Sequence, residues 1–152
     1  LAGEYPSSTN RDKAAMKLQT LLDAGVDSFV NLTEADELAY GTALKPYHEE
    51  LTVRHARFPI PDQSVIDDAG YDEILAHIRG ELDAGKVVYA HCWGGKGRTG
   101  TVVGAWLIAE NGLGYPEVLE HMQQLRAGTR KAHERVPENA TQTAVLERRA
   151  RR

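Results

Sequence analysis

The sequence predicts an α/β fold, one domain spanning residues 1–152, with a central, mostly parallel sheet of about four to five strands flanked by helices. Three observations carry this. Short apolar or alternating runs take turns with amphipathic segments along the whole chain, the order that builds parallel strands joined by crossover helices. The run "KVVYA" (86–90) is apolar after its lysine, which suits a strand buried on both faces. The segment "RTGTVVGAWLIAENG" (98–112) is apolar almost all round, which suits a helix buried against a sheet.

The elements follow in order. "RDKAAMKLQTLLDA" (11–24) places Ala14, Leu18, Leu21 and Leu22 on one helical face, and Gly25 closes it. "DSFVNL" (27–32) is a strand. "TEADELAYGTALKPYHEEL" (33–51) is polar and broken by Gly41 and Pro46, so it reads as loop with room for one short helix. "TVRHARF" (52–58) is a further strand, and the prolines of "PIPDQS" (59–64) forbid regular structure. Tyr71, Ile74, Leu75, Ile78 and Leu82 recur at helical spacing over 67–84. "YPEVLEHMQQLRAG" is a helix opened by Pro116 and closed by Gly128, and a last helix runs from Pro137 into the terminal arginines.

Bulk properties narrow the function. The 152 residues are 41% hydrophobic and 26% charged, an ordinary globular balance. A net charge of −4 argues against a dedicated nucleic-acid binder. One cysteine cannot form an internal disulfide. No apolar run approaches the roughly 20 residues that span a bilayer, and "LAGEYPSSTNRD" lacks the pattern of a signal peptide. A cytoplasmic monomer is the expectation. His48, His55, His77, His121 and His133 show no metal-ligand spacing, so no metal and no cofactor are expected.

The chemistry concentrates in "VVYAHCWGGKGRTG". Strand, glycine-rich loop and buried helix make a phosphate-binding order: backbone N–H groups turn inward and the helix N-terminus adds its positive end. From Lys86 to Ala109 the charges are Lys86, Lys96 and Arg98, with no carboxylate before Glu110. The nucleotide loop G-x-x-x-x-G-K-[ST] does not fit, because Gly97 follows Lys96, and no dinucleotide glycine pattern opens the helix. Cys92 sits at the start of the cradle, where amides, an arginine and a helix terminus favour a thiolate. Arg98 follows after five intervening residues, and its planar fork suits two phosphoryl oxygens. A thiolate beside a phosphate cradle points to attack of sulfur on phosphorus. The cradle comprises Trp93, Gly94, Gly95, Lys96, Gly97 and Arg98, with Trp93 either lining the pocket mouth or only packing.

The string His91-Cys92-(five residues)-Arg98-Thr99 resembles the signature of the cysteine-dependent protein tyrosine phosphatase superfamily, and the short chain resembles its dual-specificity branch. The resemblance implies hydrolysis of phosphomonoesters through a phosphocysteine. It implies a general acid on a loop upstream, where "RFPIPDQSV" offers Asp62, thirty residues before Cys92. Asp67 and Asp68 compete, although helix capping accounts for them. Thr99 is implied to hydrogen-bond the sulfur and His91 to hold the loop. Gln142, in "PENATQ", resembles a water-positioning glutamine, beside the plain reading of a helix residue. Phosphotyrosine, phosphoserine and phosphothreonine proteins are the first substrate class. Inositol phosphates are the second, because Lys96 resembles the lysine of "CxxGKxRT" loops in phosphoinositide phosphatases. A phosphate-binding pseudophosphatase and sulfur-transfer or arsenate-reducing chemistry are the rivals. A shorter loop would be expected for sulfur transfer, and further cysteines for arsenate reduction.

Overall fold

The computed structural model describes residues 1–37 and 46–152. Four parallel strands, β1 (Ala2–Gly3), β2 (Ser28–Asn31), β3 (Arg54–Arg57) and β4 (Val88–His91), form one sheet in the order β1-β4-β2-β3. The helices are α1 (Arg11–Asp23), α2 (Asp68–Asp83), α3 (Arg98–Asn111), α4 (Tyr115–Arg126) and α5 (Ala140–Arg149). A 3₁₀ turn at Tyr47–Glu50 supplies the short helix expected in the long loop. The loop expectation over 38–45 lies outside the described residues.

Alternation along the pleat divides the core. In β2, Phe29 joins one cluster and Val30 the other; in β4, Tyr89 and Ala90 divide the same way. The Phe29–Tyr89 face is covered by Leu18, Leu21 and Leu22 of α1. The Val30–Ala90 face packs on Ile74 and Ile78 of α2, Val102 and Ala105 of α3, Met122 of α4 and Leu146 of α5. Both faces of the central strands are therefore dry, as the apolar run of β4 predicts. At the end of α1, Gly25 takes φ +89° and its N–H reaches the Leu22 carbonyl, the left-handed stop expected of a glycine there.

Two elements depart from expectation. β1 was not foreseen: two residues carry no periodicity, and Ala2 and Gly3 become a strand only by pairing with Ala90 and His91. The last helix begins at Ala140 rather than at Pro137. Asn139 is extended at φ −135° and its Oδ1 accepts from the Gln142 N–H at 3.0 Å, which makes it the N-cap.

The α3–α5 contact is close because residue 104 is glycine. A Cβ there would stand 2.6 Å from Leu146 Cδ1, and Leu146 is fully buried. Gly104→Ala is therefore expected to destabilise the protein by about 1 to 3 kcal/mol despite alanine's better helix propensity. A lowered urea midpoint at unchanged m-value checks this, and a stabilised variant would refute it.

Candidate active site

The register brings Gly3, His91 and Asn31 to one level, with Arg57 paired to Asn31 beyond. Cys92 is the first residue past the carboxyl end of β4, the edge where open parallel sheets bind ligands. The loop from Cys92 to Gly97 runs directly into α3, whose N-cap Gly97 offers no side-chain hydrogen bond. The first N–H groups of α3 therefore keep their positive end for an anion.

The Thr99 hydroxyl donates to Cys92 Sγ at 3.0 Å. The Arg98 side chain is 1% exposed and carries two carboxylates. Glu37 takes it as a fork, with Oε1 2.5 Å from Nη1 and Oε2 3.1 Å from Nη2. Nη1 also donates to the Ile60 carbonyl at 2.9 Å, and Asp62 Oδ1 lies 3.1 Å from Nη2. Burial opposes the charge of Arg98, but Glu37 more than offsets it and holds the guanidinium above its ordinary value.

Asp62 stands on the β3–α2 connection with its side chain 62% exposed, and accepts from the Gln63 N–H at 2.9 Å. Its competitors are occupied elsewhere. Asp67 caps α2 by accepting from the Gly70 N–H at 2.8 Å, while Asp68 is bound by Arg148, Arg149 and Arg152.

A buried cysteine on a glycine loop, bonded by a threonine hydroxyl and followed by a carboxylate-held arginine, is now placed in space. The family model of the Swiss Army Knife protein DSP-PTPase phosphatase domain matches residues 7–149. The chain belongs to this family. Among solved structures it is similar to Tk-PTP in its active form, with 30% identity over 99% of this chain and 90% of that one, and a TM-score of 0.75. It shares its fold with DUSP15, at 19% identity over 98% of this chain and 87% of that one, TM-score 0.67. It also shares its fold with PTPMT1 crystallised with PI(5)P, at 19% identity over 90% of this chain and 84% of that one, TM-score 0.68. The domain is thus a cysteine-based phosphatase domain of the dual-specificity type.

The remaining expected residues of this phosphatase domain divide. His91 is fully buried and holds the loop from behind. Its Nδ1 lies 3.1 Å from the Cys92 carbonyl, which only accepts, so Nδ1 carries the proton and Nε2 receives the Tyr47 hydroxyl. Gln142 is also buried. It serves as the capping-box residue of α5, with Oε1 accepting from the Asn139 N–H at 3.3 Å and also from the Glu138 N–H at 3.1 Å, and it borders the loop: a Cβ on Gly97 would meet its Nε2 at 2.8 Å. The Trp93 ring stacks on Tyr5, with centroids 4.7 Å apart. Lys96 departs most from the expected cradle role. Its ammonium meets Glu134 at 2.5 Å and Glu138 at 3.5 Å, on the connection between α4 and α5. Glu134 holds the amine above its ordinary value.

Sequence reasoning missed Glu37 and Tyr47. Both lie on the long β2–β3 connection, far from Cys92 in the chain, and neither belongs to a local motif. The one available signal was an acidic run, "EADE", in a protein that buries an arginine.

Two measurements bear on this geometry. Burial holds the His91 imidazole down at about 3, while an unfolded histidine protonates near 6.5. Between those values the unfolded chain binds more protons, so stability falls as pH drops from about 6.5 and is independent of this group above it. His91 alone contributes about 2 kcal/mol of loss by pH 5, and denaturant titrations of wild type and His91→Gln at pH 7 and 5 should show the smaller drop in the variant. Glu37→Gln removes the charge that fixes Arg98, and kcat/KM is expected to fall about 10²-fold. That loss should be equal for good and poor leaving groups, the outcome expected of an arginine that holds a phosphoryl group and not the departing oxygen.

Proposed function

We propose that the domain is a metal-independent phosphomonoesterase that works through a phosphocysteine and acts on phosphorylated proteins, phosphotyrosine above all. The observation that carries the reading is the convergence of Thr99 Oγ1 on Cys92 Sγ at 3.0 Å with a buried, carboxylate-fixed Arg98 one residue before that threonine. In the first step the Cys92 thiolate attacks phosphorus and the P–O bond to the leaving group breaks. Loop amides and Arg98 hold the phosphoryl oxygens, and the Asp62 carboxylic acid gives its proton to the departing oxygen. In the second step water attacks the phosphocysteine, with Asp62 as carboxylate taking its proton and Gln142 orienting it from beside Gly97. The Thr99 hydroxyl donates to the returning thiolate. Asp62 suits this work because it is exposed on a loop within reach of Arg98, so substrate and acid meet at one guanidinium.

The position of Lys96 supports a protein over an inositol phosphate. A substrate with several phosphates needs unpaired cations at the pocket, and this lysine is met by Glu134 and Glu138. Additional dianions would face those carboxylates as well as Glu37 and Asp62. The PI(5)P in the PTPMT1 complex belongs to a protein related by fold, so a panel holding both phosphopeptides and inositol phosphates is the direct test. Phosphotyrosine peptides should be hydrolysed with the higher kcat/KM, and a reversed ranking would replace the protein reading with the inositol one.

Three substitutions test the mechanism. Cys92→Ser is expected to abolish turnover while keeping phosphate binding, because serine has almost no alkoxide at neutral pH. Retention of a tenth of the activity would exclude the phosphocysteine. Asp62→Asn should slow hydrolysis by about 10² to 10⁴ on poor leaving groups and much less on nitrophenyl phosphate. Equal losses on both would move the acid to another residue. Lys96→Met should change kcat/KM by less than about threefold on either substrate class, as expected for a partly solvated ion pair. A tenfold loss confined to inositol phosphates would show that Lys96 leaves its carboxylates for substrate.

A further inference from the structure

The carbonyl oxygens of three successive loop residues are each tied to a different part of the fold. The Cys92 carbonyl faces His91 Nδ1 at 3.1 Å, and the Trp93 carbonyl accepts from the Tyr5 N–H at 2.9 Å. The Gly94 carbonyl accepts from Lys131 Nζ at 3.0 Å. In a trans peptide the C=O and the following N–H point in opposite directions. Anchoring each of these oxygens therefore turns the N–H groups of Trp93, Gly94 and Gly95 away from the respective anchors.

The first two anchors are a strand-end histidine and a main-chain amide. The third is a side chain from the α4–α5 connection, and it is itself held. Lys131 Nζ lies 2.7 Å from Glu4 Oε2, and Lys17 of α1 binds the other oxygen of Glu4 at 2.6 Å. Although burial opposes the charge on Glu4, the two lysines outweigh it and hold the carboxyl at about 2. Arg130 stands 3.6 Å from the same carboxylate. The lysine is thus kept on the outer side of the loop by a carboxylate ionised at any working pH.

The adjoining residue has no room to adjust. Gly95 has φ +72°, and a Cβ on it would stand 2.5 Å from the Gly3 carbonyl carbon and 2.7 Å from the Glu4 nitrogen. The loop rests on the backbone of the N-terminal strand, and the Gly94–Gly95 peptide is the link whose carbonyl is held by a cation. A cation on that oxygen also polarises the peptide so that its N–H end becomes more positive.

We propose that Lys131, seated on Glu4, is a positioning residue for the phosphate loop: by holding the Gly94 carbonyl outward it fixes the Gly95 N–H toward the phosphoryl oxygens. Lys131 touches neither substrate nor sulfur and acts only through that peptide. The assignment rests on the reading of this loop as the phosphate site.

The test compares wild type with Lys131→Met, Lys131→Arg and Glu4→Gln by three readouts: inhibition by orthovanadate, the pH profile of Cys92 alkylation by iodoacetamide, and thermal unfolding. Lys131→Met is expected to weaken vanadate inhibition about tenfold. It should also move the midpoint of Cys92 alkylation to higher pH, because one inward dipole is lost. Lys131→Arg should restore both to within about threefold of wild type, and Glu4→Gln should fall between. A Lys131→Met protein that keeps wild-type vanadate inhibition and an unchanged alkylation profile overturns the proposal, as does one whose only change is a lowered Tm. If Lys131→Met does not fold, Glu4→Gln decides by the same two readouts. Failure of the underlying reading is seen separately: wild type would then resist vanadate and hydrolyse no aryl phosphate.

Discussion

A guanidinium left alone in a protein interior costs several kcal/mol, and removing one partner of a buried pair costs about as much. The Arg98 side chain is 1% exposed, so its partners are a condition of the fold as well as of the site. They come from two separate connections: Glu37 after β2, and Ile60 with Asp62 after β3. The arginine at the start of α3 therefore pins both loops above the sheet, and brings the only acid on the "PIPDQS" segment to the edge where Cys92 leaves β4.

The other side of the loop is held by the same means with the signs exchanged. Lys96 is met by Glu134 and Glu138, and Lys131 by Glu4. Around the loop Lys96, Arg98 and Lys131 each have a carboxylate partner, so the proposed anion site would be built without a basic surface in a protein of net charge −4. Such a site would attract a phosphoryl dianion through what is not charge-balanced: the N–H dipoles of the loop and the uncapped N-terminus of α3. Dipoles of this kind act at short range, which agrees with the single-phosphate substrate proposed above.

Behind the loop lies an aromatic layer. Tyr5, Tyr47 and Tyr89 surround His91, with Tyr5–His91 and Tyr47–His91 centroids both 5.2 Å apart and Tyr89–His91 at 5.9 Å. Burial that deep keeps the imidazole neutral and pushes the Tyr47 phenol up. A neutral histidine with one fixed proton offers the Cys92 carbonyl a donor whose direction does not change with pH over the working range. The cost is sensitivity of the whole fold to acid, because the site's rigidity and the core's neutrality rest on the same ring.

The sequence by itself determined whatever is contiguous. The helices over 67–84 and 98–112 follow from apolar spacing, and the structure ends them within one residue of those bounds at Asp68–Asp83 and Arg98–Asn111. Cys92, the glycines, Arg98 and Thr99 form one strand–loop–helix passage, so their mutual placement is dictated by a dozen neighbouring residues and could be read without a fold. Apart from Asp62 and Gln142, which the resemblance pointed to, tertiary structure alone decided what reaches the loop from elsewhere. β1 exists only through its pairing with β4, Glu37 and Lys131 are separated from their partners by 61 and 37 positions, and the expected helix start at Pro137 yields to the cap at Asn139. The direction of Lys96 belongs to the same class. Its glycine neighbours permit either side, and only the arrival of Glu134 and Glu138 on the α4–α5 connection chooses one, because a side chain's electrostatic partner is fixed by where the chain returns and not by what stands beside it in sequence.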